Sequence, residues 1–164
     1  MVRRKTKGRD GIYYTYTEEN PISFNPFYTD DYKYDVEKKD SIKTLLLTLW
    51  KSDDDRISKT ESGELGSAVS SYIQRITADR GIVPSFNTFY EYIRDDYRKE
   101  LDGREIKVSR EDFNIDNFLT TLRQYYRGGR FDFLLNSAEN IDLLSKRFIV
   151  FEIDAVKGAP VKAA

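Results

Sequence analysis

The 164-residue chain contains no cysteine and no histidine. Without cysteine there is no disulfide framework and no thiolate zinc site. Without histidine, Ser-His-Asp and Cys-His nucleophile systems are excluded, as is any His-ligated metal. Neither sign of charge dominates: 27 Lys and Arg stand against 28 Asp and Glu, for a formal net charge of -1. A dominant nucleic-acid or membrane-surface role is therefore not written in the overall charge. No apolar run approaches the roughly 18–20 residues that a membrane span needs. The N-terminus is basic but lacks an apolar h-region, so no secretory signal is expected and a cytoplasmic protein is the default. Aromatic residues, at 14%, argue against disorder and for a real core.

What is present reads as strand, then helices, then strand. Arg3, Arg4, Lys5, Lys7 and Arg9 make residues 1–10 a basic, flexible arm. Ile12 to Thr17 is rich in β-formers and predicts a short strand. Ile22-Ser23-Phe24 predicts a second, stopped at Asn25-Pro26 because proline lacks a ladder donor. Ile42, Leu45, Leu46 and Leu49 then fall on one helical stripe, widened by Leu47 and Trp50. A second stripe, Leu65, Val69, Tyr72, Ile73 and Ile76, follows a cap expected at Thr60. Phe86, Phe89, Tyr90, Ile93, Tyr97 and Leu101 make the third, capped by Ser85. Ile115, Phe118, Leu119, Leu122 and Tyr126 make the fourth, capped by Asn114 and ended by Gly128-Gly129. These stripes predict helices near 36–51, 61–80, 86–101 and 115–127. The most apolar run, Arg147 to Asp154, predicts a strand covered on both faces, around which the helices pack. Residues 155–164 carry no packing signal and predict a flexible tail.

Reactive chemistry is hard to find. A P-loop needs G-x-x-x-x-G-K-[ST], and neither Lys43-Thr44 nor Lys59-Thr60 follows the required glycines. Asp53-Asp54-Asp55 lacks EF-hand spacing, and Asp30-Asp31 and Asp95-Asp96 diverge too far to act as acid–base pairs. Glu152 and Asp154 share a strand face and make a shared Mg²⁺ site geometrically conceivable, without a phosphate cradle beside it. No catalytic, nucleotide-binding or metal-binding residue is therefore assigned. One constellation stands out, Arg123-Gln124-Tyr125-Tyr126-Arg127-Gly128-Gly129-Arg130. Arginines interleaved with tyrosines hold phosphates and stack on bases. They equally complement the dipole at a helix C-terminus. Arg123, Arg127 and Arg130 are the candidate phosphate-binding arginines, with Arg130, on a flexible glycine pair, the candidate to reach a nucleotide in a neighbouring subunit.

Four stretches in order carry a family resemblance: Gly11-Ile12-Tyr13-Tyr14, Ile22 to Phe27, Tyr125-Tyr126-Arg127-Gly128-Gly129-Arg130-Phe131-Asp132, and Arg147 to Asp154. Together they resemble TraG-type conjugation ATPases, the large ATPases of conjugative-transposon type IV secretion systems. The resemblance implies a fragment lying between the Walker A and Walker B motifs of a RecA-like motor. It implies a fold mainly α with a small β component: about four helices between short N-terminal strands and a buried C-terminal strand, on a partial α/β core. Residues 11–154 would be one domain, with residues of about 35–127 as its helical insertion. The chain itself is expected to hold no cofactor, ATP and Mg belonging to the full-length family, and to be inactive alone. Expected partners are further copies, other motor subunits and type IV secretion components, with DNA as the alternative. The expected place is the cytoplasm, at the inner face of the cytoplasmic membrane.

Overall fold

In the computed structural model, residues 23–138 are described throughout. Beyond them only the backbones of Arg4–Lys5, Gly11–Tyr13 and Phe148–Val150 are described, hydrogen-bonded in that order, the first pair antiparallel and the second parallel. Most of the expected arm, most of 12–17 and of 147–154, and the tail 155–164 lie outside the described residues.

The body is built of helices that start where capping chemistry allows. In α1 (Val36–Trp50), the Asp35 side chain accepts from the Lys38 N–H. In α2 (Lys59–Ala78), Ser58 accepts from the Glu61 N–H while the Glu61 carboxylate takes the Ser58 N–H. The cap is thus Ser58 and not Thr60. Three residues after Thr60 stands Gly63, which has no side chain to return the bond, whereas Glu61 completes the reciprocal pair for Ser58. In α3 (Phe86–Tyr92), Ser85 and Thr88 make the same kind of box. The helix runs on through a π-helical turn, Ile93–Tyr97, into α4 (Arg98–Gly103). Asn114 caps α5 (Ile115–Leu122), which tightens into a 3₁₀ turn at Arg123–Tyr125. The helix expected to reach residue 127 stops there because Tyr126 is extended, with φ -84° and ψ 158°.

The stripes read from the sequence meet in one core. Ile42 and Leu46 of α1, Leu65 and Ile76 of α2, Phe86, Phe89 and Ile93 of the α3 rod, and Phe118 and Leu122 of α5 have no exposed surface. Trp50 lies edge-on to Phe113 and Phe118, at 5.8 and 5.3 Å between ring centres, and its indole N–H donates to Asn117 Oδ1 at 2.8 Å. Among the described residues no buried side-chain polar atom lacks a partner.

The expected fold class needs correction. Residues 23–138 are 58% helix and contain no strand. A partial α/β core with short N-terminal strands and a buried C-terminal strand is therefore not what organises this body. Ser23 and Phe24, expected in a strand, are irregular chain: the Phe24 N–H donates to Leu134 O and the Phe24 carbonyl accepts from the Ser137 N–H, with no ladder beyond them. The expected packing of the core around Arg147 to Asp154 lies outside the described residues, apart from the backbone of Phe148–Val150. Within residues 23–138 the buried side chains come from helical stripes packed on one another, with Phe24 and Phe27 as plugs.

Tyr72 makes the core sensitive to alkali. Burial pushes its hydroxyl up to about 12. An unfolded tyrosine titrates near 10, so the folded state holds the proton more tightly. The stabilisation is complete below pH ~10 and is lost as pH rises from ~10 to ~12. Tyr72 should contribute roughly 2–3 kcal/mol of the stability lost across that window in denaturant titrations, and Tyr72→Phe should remove that share and leave the part due to Tyr97, Tyr90, Tyr92 and Tyr125, whose hydroxyls burial also raises.

Candidate functional site

The arginine-rich stretch lies where α5 ends, and its shape is set by backbone hydrogen bonds. The Tyr126 N–H donates to Arg123 O at 3.1 Å, the Gly129 N–H to Tyr126 O at 2.7 Å, and the Phe131 N–H to Gln124 O at 2.8 Å. Gly128 has φ +81°, the left-handed region that glycine enters without cost. At Gly129 the constraint is space: a Cβ would stand 2.5 Å from Gln124 O and 2.6 Å from Arg123 O. The glycine pair is therefore a locked turn.

Three asparagine and aspartate side chains tie this turn to the rest of the body. Asn136 Nδ2 donates to Tyr125 O at 3.1 Å and Asp132 O at 2.8 Å, while its Oδ1 accepts from the Asn87 N–H at 2.8 Å. Asn87 Oδ1 accepts from the Arg127 N–H at 3.0 Å. Asp132 Oδ2 accepts from the Gly128 N–H at 3.1 Å. The segment Ser23–Phe27 docks onto the following residues. Ser23 Oγ donates to Phe133 O at 2.5 Å, and Asn25 Nδ2 donates to Pro84 O at 2.6 Å while its Oδ1 accepts from the Phe27 N–H. Two stretches separated by about a hundred positions are thus neighbours on one side of the bundle.

The three candidate arginines have different surroundings. Arg123, Arg127 and Arg130 are all exposed. Arg127 Nη2 lies 3.6 Å from Glu91 Oε1, which also accepts from Tyr126 OH at 2.9 Å. Arg130 turns aside over the Phe131 ring, 5.2 Å from its centre. Arg123 has no ion-pair partner among the described residues, and its charge acts on the Tyr90 hydroxyl, as does that of Arg94. Burial nevertheless holds that hydroxyl above its ordinary range, and it donates to Leu119 O at 2.8 Å. The Tyr90 and Tyr126 rings stack, 4.5 Å apart and inclined by 18°. Arg94, which also holds Asp95 in a two-pronged pair, reaches Tyr126. The sequence reading missed Tyr90, Glu91 and Arg94 as members of this cluster. They lie on the α3 rod, and only the helical spacing of Glu91 and Arg94 on one face hinted that they act together.

The acidic runs show no cation-binding arrangement. Asp96 pairs with Arg75, and Asp55 accepts from the Ser52 N–H in its own loop. Among the described residues no cluster of acids could hold a metal ion. Nor is any described helix long and apolar enough to cross a membrane. A cleft of 240 Å³ beside Tyr28, Tyr32, Tyr34 and Pro84 falls below the roughly 300–1,000 Å³ usual for small-molecule sites.

A family model described as the TraG P-loop domain matches residues 3–163. No curated protein and no solved structure matches the chain.

Proposed function

This chain belongs to the TraG P-loop domain family, a family of conjugation-related ATPases, and on that footing we propose that residues 23–138 act as a non-catalytic, shape-giving helical part of a conjugative-transfer motor. The carrying observation is how the motif residues are used. The side chains of Ser23, Asn25, Asn87 and Asn136 are bonded to backbone groups of other segments, and that of Asp132 to the Gly128 N–H of its own turn. They lock a turn and a plug onto the bundle. Groups committed in this way fix a surface; they do not move protons or hold a reacting phosphate. The fixed surface carries Arg127 on a rigid turn, with Arg130 beside it, facing outward. Its partners in this reading are neighbouring motor subunits and components of a type IV secretion channel, and the nucleotide chemistry of the RecA-like motor is supplied by other residues.

Titration calorimetry with ATP and Mg²⁺ tests the reading. Phosphate binding in such motors needs a loop of backbone amides, a lysine and a hydroxyl on the metal. Metal-bridged contacts alone should give a dissociation constant no better than about 1 mM, roughly 4 kcal/mol. Low-micromolar binding that disappears in Glu152→Ala would overturn the non-catalytic role.

A further inference from the structure

The cleft at Pro84 has an aromatic wall that the packing of the helices does not use. Tyr28, Tyr32 and Tyr34, each half-buried, line it together with Phe27. Its volume of 240 Å³ is small for a cofactor and suits one long side chain. Tyr32 is held there under strain. Asp31 and Tyr32 have φ of 55° and 54°, a left-handed pair that residues with a Cβ avoid. Such strain persists where the surroundings over-determine it, and it gathers at ligand clamps. Here the Lys33 N–H donates to Asp30 O at 3.3 Å, and the Thr29 hydroxyl is shared between Asp30 O and Lys33 O, each at 3.0 Å. The turn leaves the Asp30 and Asp31 carboxylates exposed beside the cleft.

The donors of this wall are largely spent on the protein itself. The Tyr28 hydroxyl donates to Asp30 Oδ1 at 2.8 Å, the Tyr34 hydroxyl to Phe27 O at 2.5 Å, and Asn25 Nδ2 to Pro84 O at 2.6 Å. What these groups still offer is oxygen lone pairs and ring faces, both of which attract positive charge. Negative charge stands beside them. Asp30 has no ion-pair partner among the described residues, and the Asp31–Lys33 contact, 3.9 Å long between side chains 82% and 81% exposed, neutralises little. Arg80, exposed just past the end of α2, lies over the Tyr32 ring at 3.8 Å, so that ring already takes a guanidinium. We propose that the cleft is a docking site for a basic segment of a partner protein. The segment inserts one arginine side chain among the tyrosines and sets its guanidinium against Asp30 and Asp31. A planar guanidinium both stacks on rings and forks onto a carboxylate, whereas an ammonium offers only a point charge. A proline-rich segment is disfavoured, because its carbonyls would need the wall donors already spent. The inference does not rest on the motor role or on ATP binding.

Fluorescence anisotropy of a labelled tetra-arginine peptide, with the full chain titrated at low salt, tests it. Tetralysine should bind at least about threefold more weakly. Asp30→Asn combined with Asp31→Asn should weaken tetra-arginine binding by about fivefold or more. Asparagine keeps the acceptor for Tyr28 and tolerates the left-handed φ at position 31, so thermal unfolding should be unchanged. Tyr32→Leu should remove the preference for arginine over lysine, and Tyr32→Phe, which keeps the ring, should retain it. Four results would overturn the proposal: no anisotropy change at low salt, equal affinity for the two peptides, an arginine preference that survives Tyr32→Leu, or competition by an oligoproline as effective as by unlabelled tetra-arginine. The last would make the cleft a docking site for a proline-rich segment.

Discussion

Replacing Phe27 with alanine should cost about 3–5 kcal/mol. Phe27 has no exposed surface, although it comes from an irregular segment and not from a helix. Its ring sits 5.0 Å from that of Tyr72, edge-on, and 5.0 Å from that of Phe89. Removing it opens a cavity between α2 and the α3 rod and forfeits both aromatic contacts. The Asn25 side chain holds the backbone of Phe27 in place, so the segment cannot readily collapse into the gap. At roughly 2–4 °C per kcal/mol, the melting temperature should drop by about 6–20 °C. Phe27→Leu, which nearly fills the space, should cost less than about 1.5 kcal/mol. Thermal unfolding of the two variants checks this. Equal, small losses would show that Phe27 is not a plug.

Gly129→Ala should cost about 2–4 kcal/mol for a different reason. The added methyl group would press on the carbonyl oxygens of Gln124 and Arg123, at 2.5 and 2.6 Å. These are backbone atoms at the end of α5, so relief requires the turn itself to move. Moving it breaks the Phe131 N–H to Gln124 O bond and displaces the backbone groups that Asn136 satisfies. The contrasting change is Gly63→Ala, inside α2, where nothing lies within 4 Å of the new Cβ. There alanine should stabilise by about 0.5–1 kcal/mol, by helix propensity and lower unfolded-chain entropy. Denaturant titrations should therefore give shifts of opposite sign. A Gly129→Ala protein as stable as the parent would mean that the turn is looser than the bonds imply.

The sequence by itself determined the helices and the missing chemistry. Ile42, Leu46, Leu65, Ile76, Ile93 and Leu122 are core residues because apolar spacing at three and four positions records which face of a helix is turned inward. Ser85 and Asn114 announced their helices because a cap is a bond within about three residues. The absence of cysteine, histidine and a phosphate loop is read directly from the letters. The four motif stretches pointed to the family, which the match over residues 3–163 establishes.

Tertiary structure decided which faces meet and what the motifs do. The apolar letters of Ser23-Phe24 suggested a strand, but alternation and hydrophobicity cannot say whether a strand partner exists. That segment instead plugs the helical body with Phe24 and Phe27. The bond from Ser23 to Phe133 joins residues 110 positions apart, and that from Asn87 to Arg127 spans 40. Nothing local encodes such pairs, because a periodic pattern states that a face is buried without naming what buries it. For the same reason the arginine cluster was legible only in part. Arg123, Arg127 and Arg130 are adjacent in sequence, yet the fold turned Arg130 away and brought in Arg94 and the Tyr90 ring from another helix.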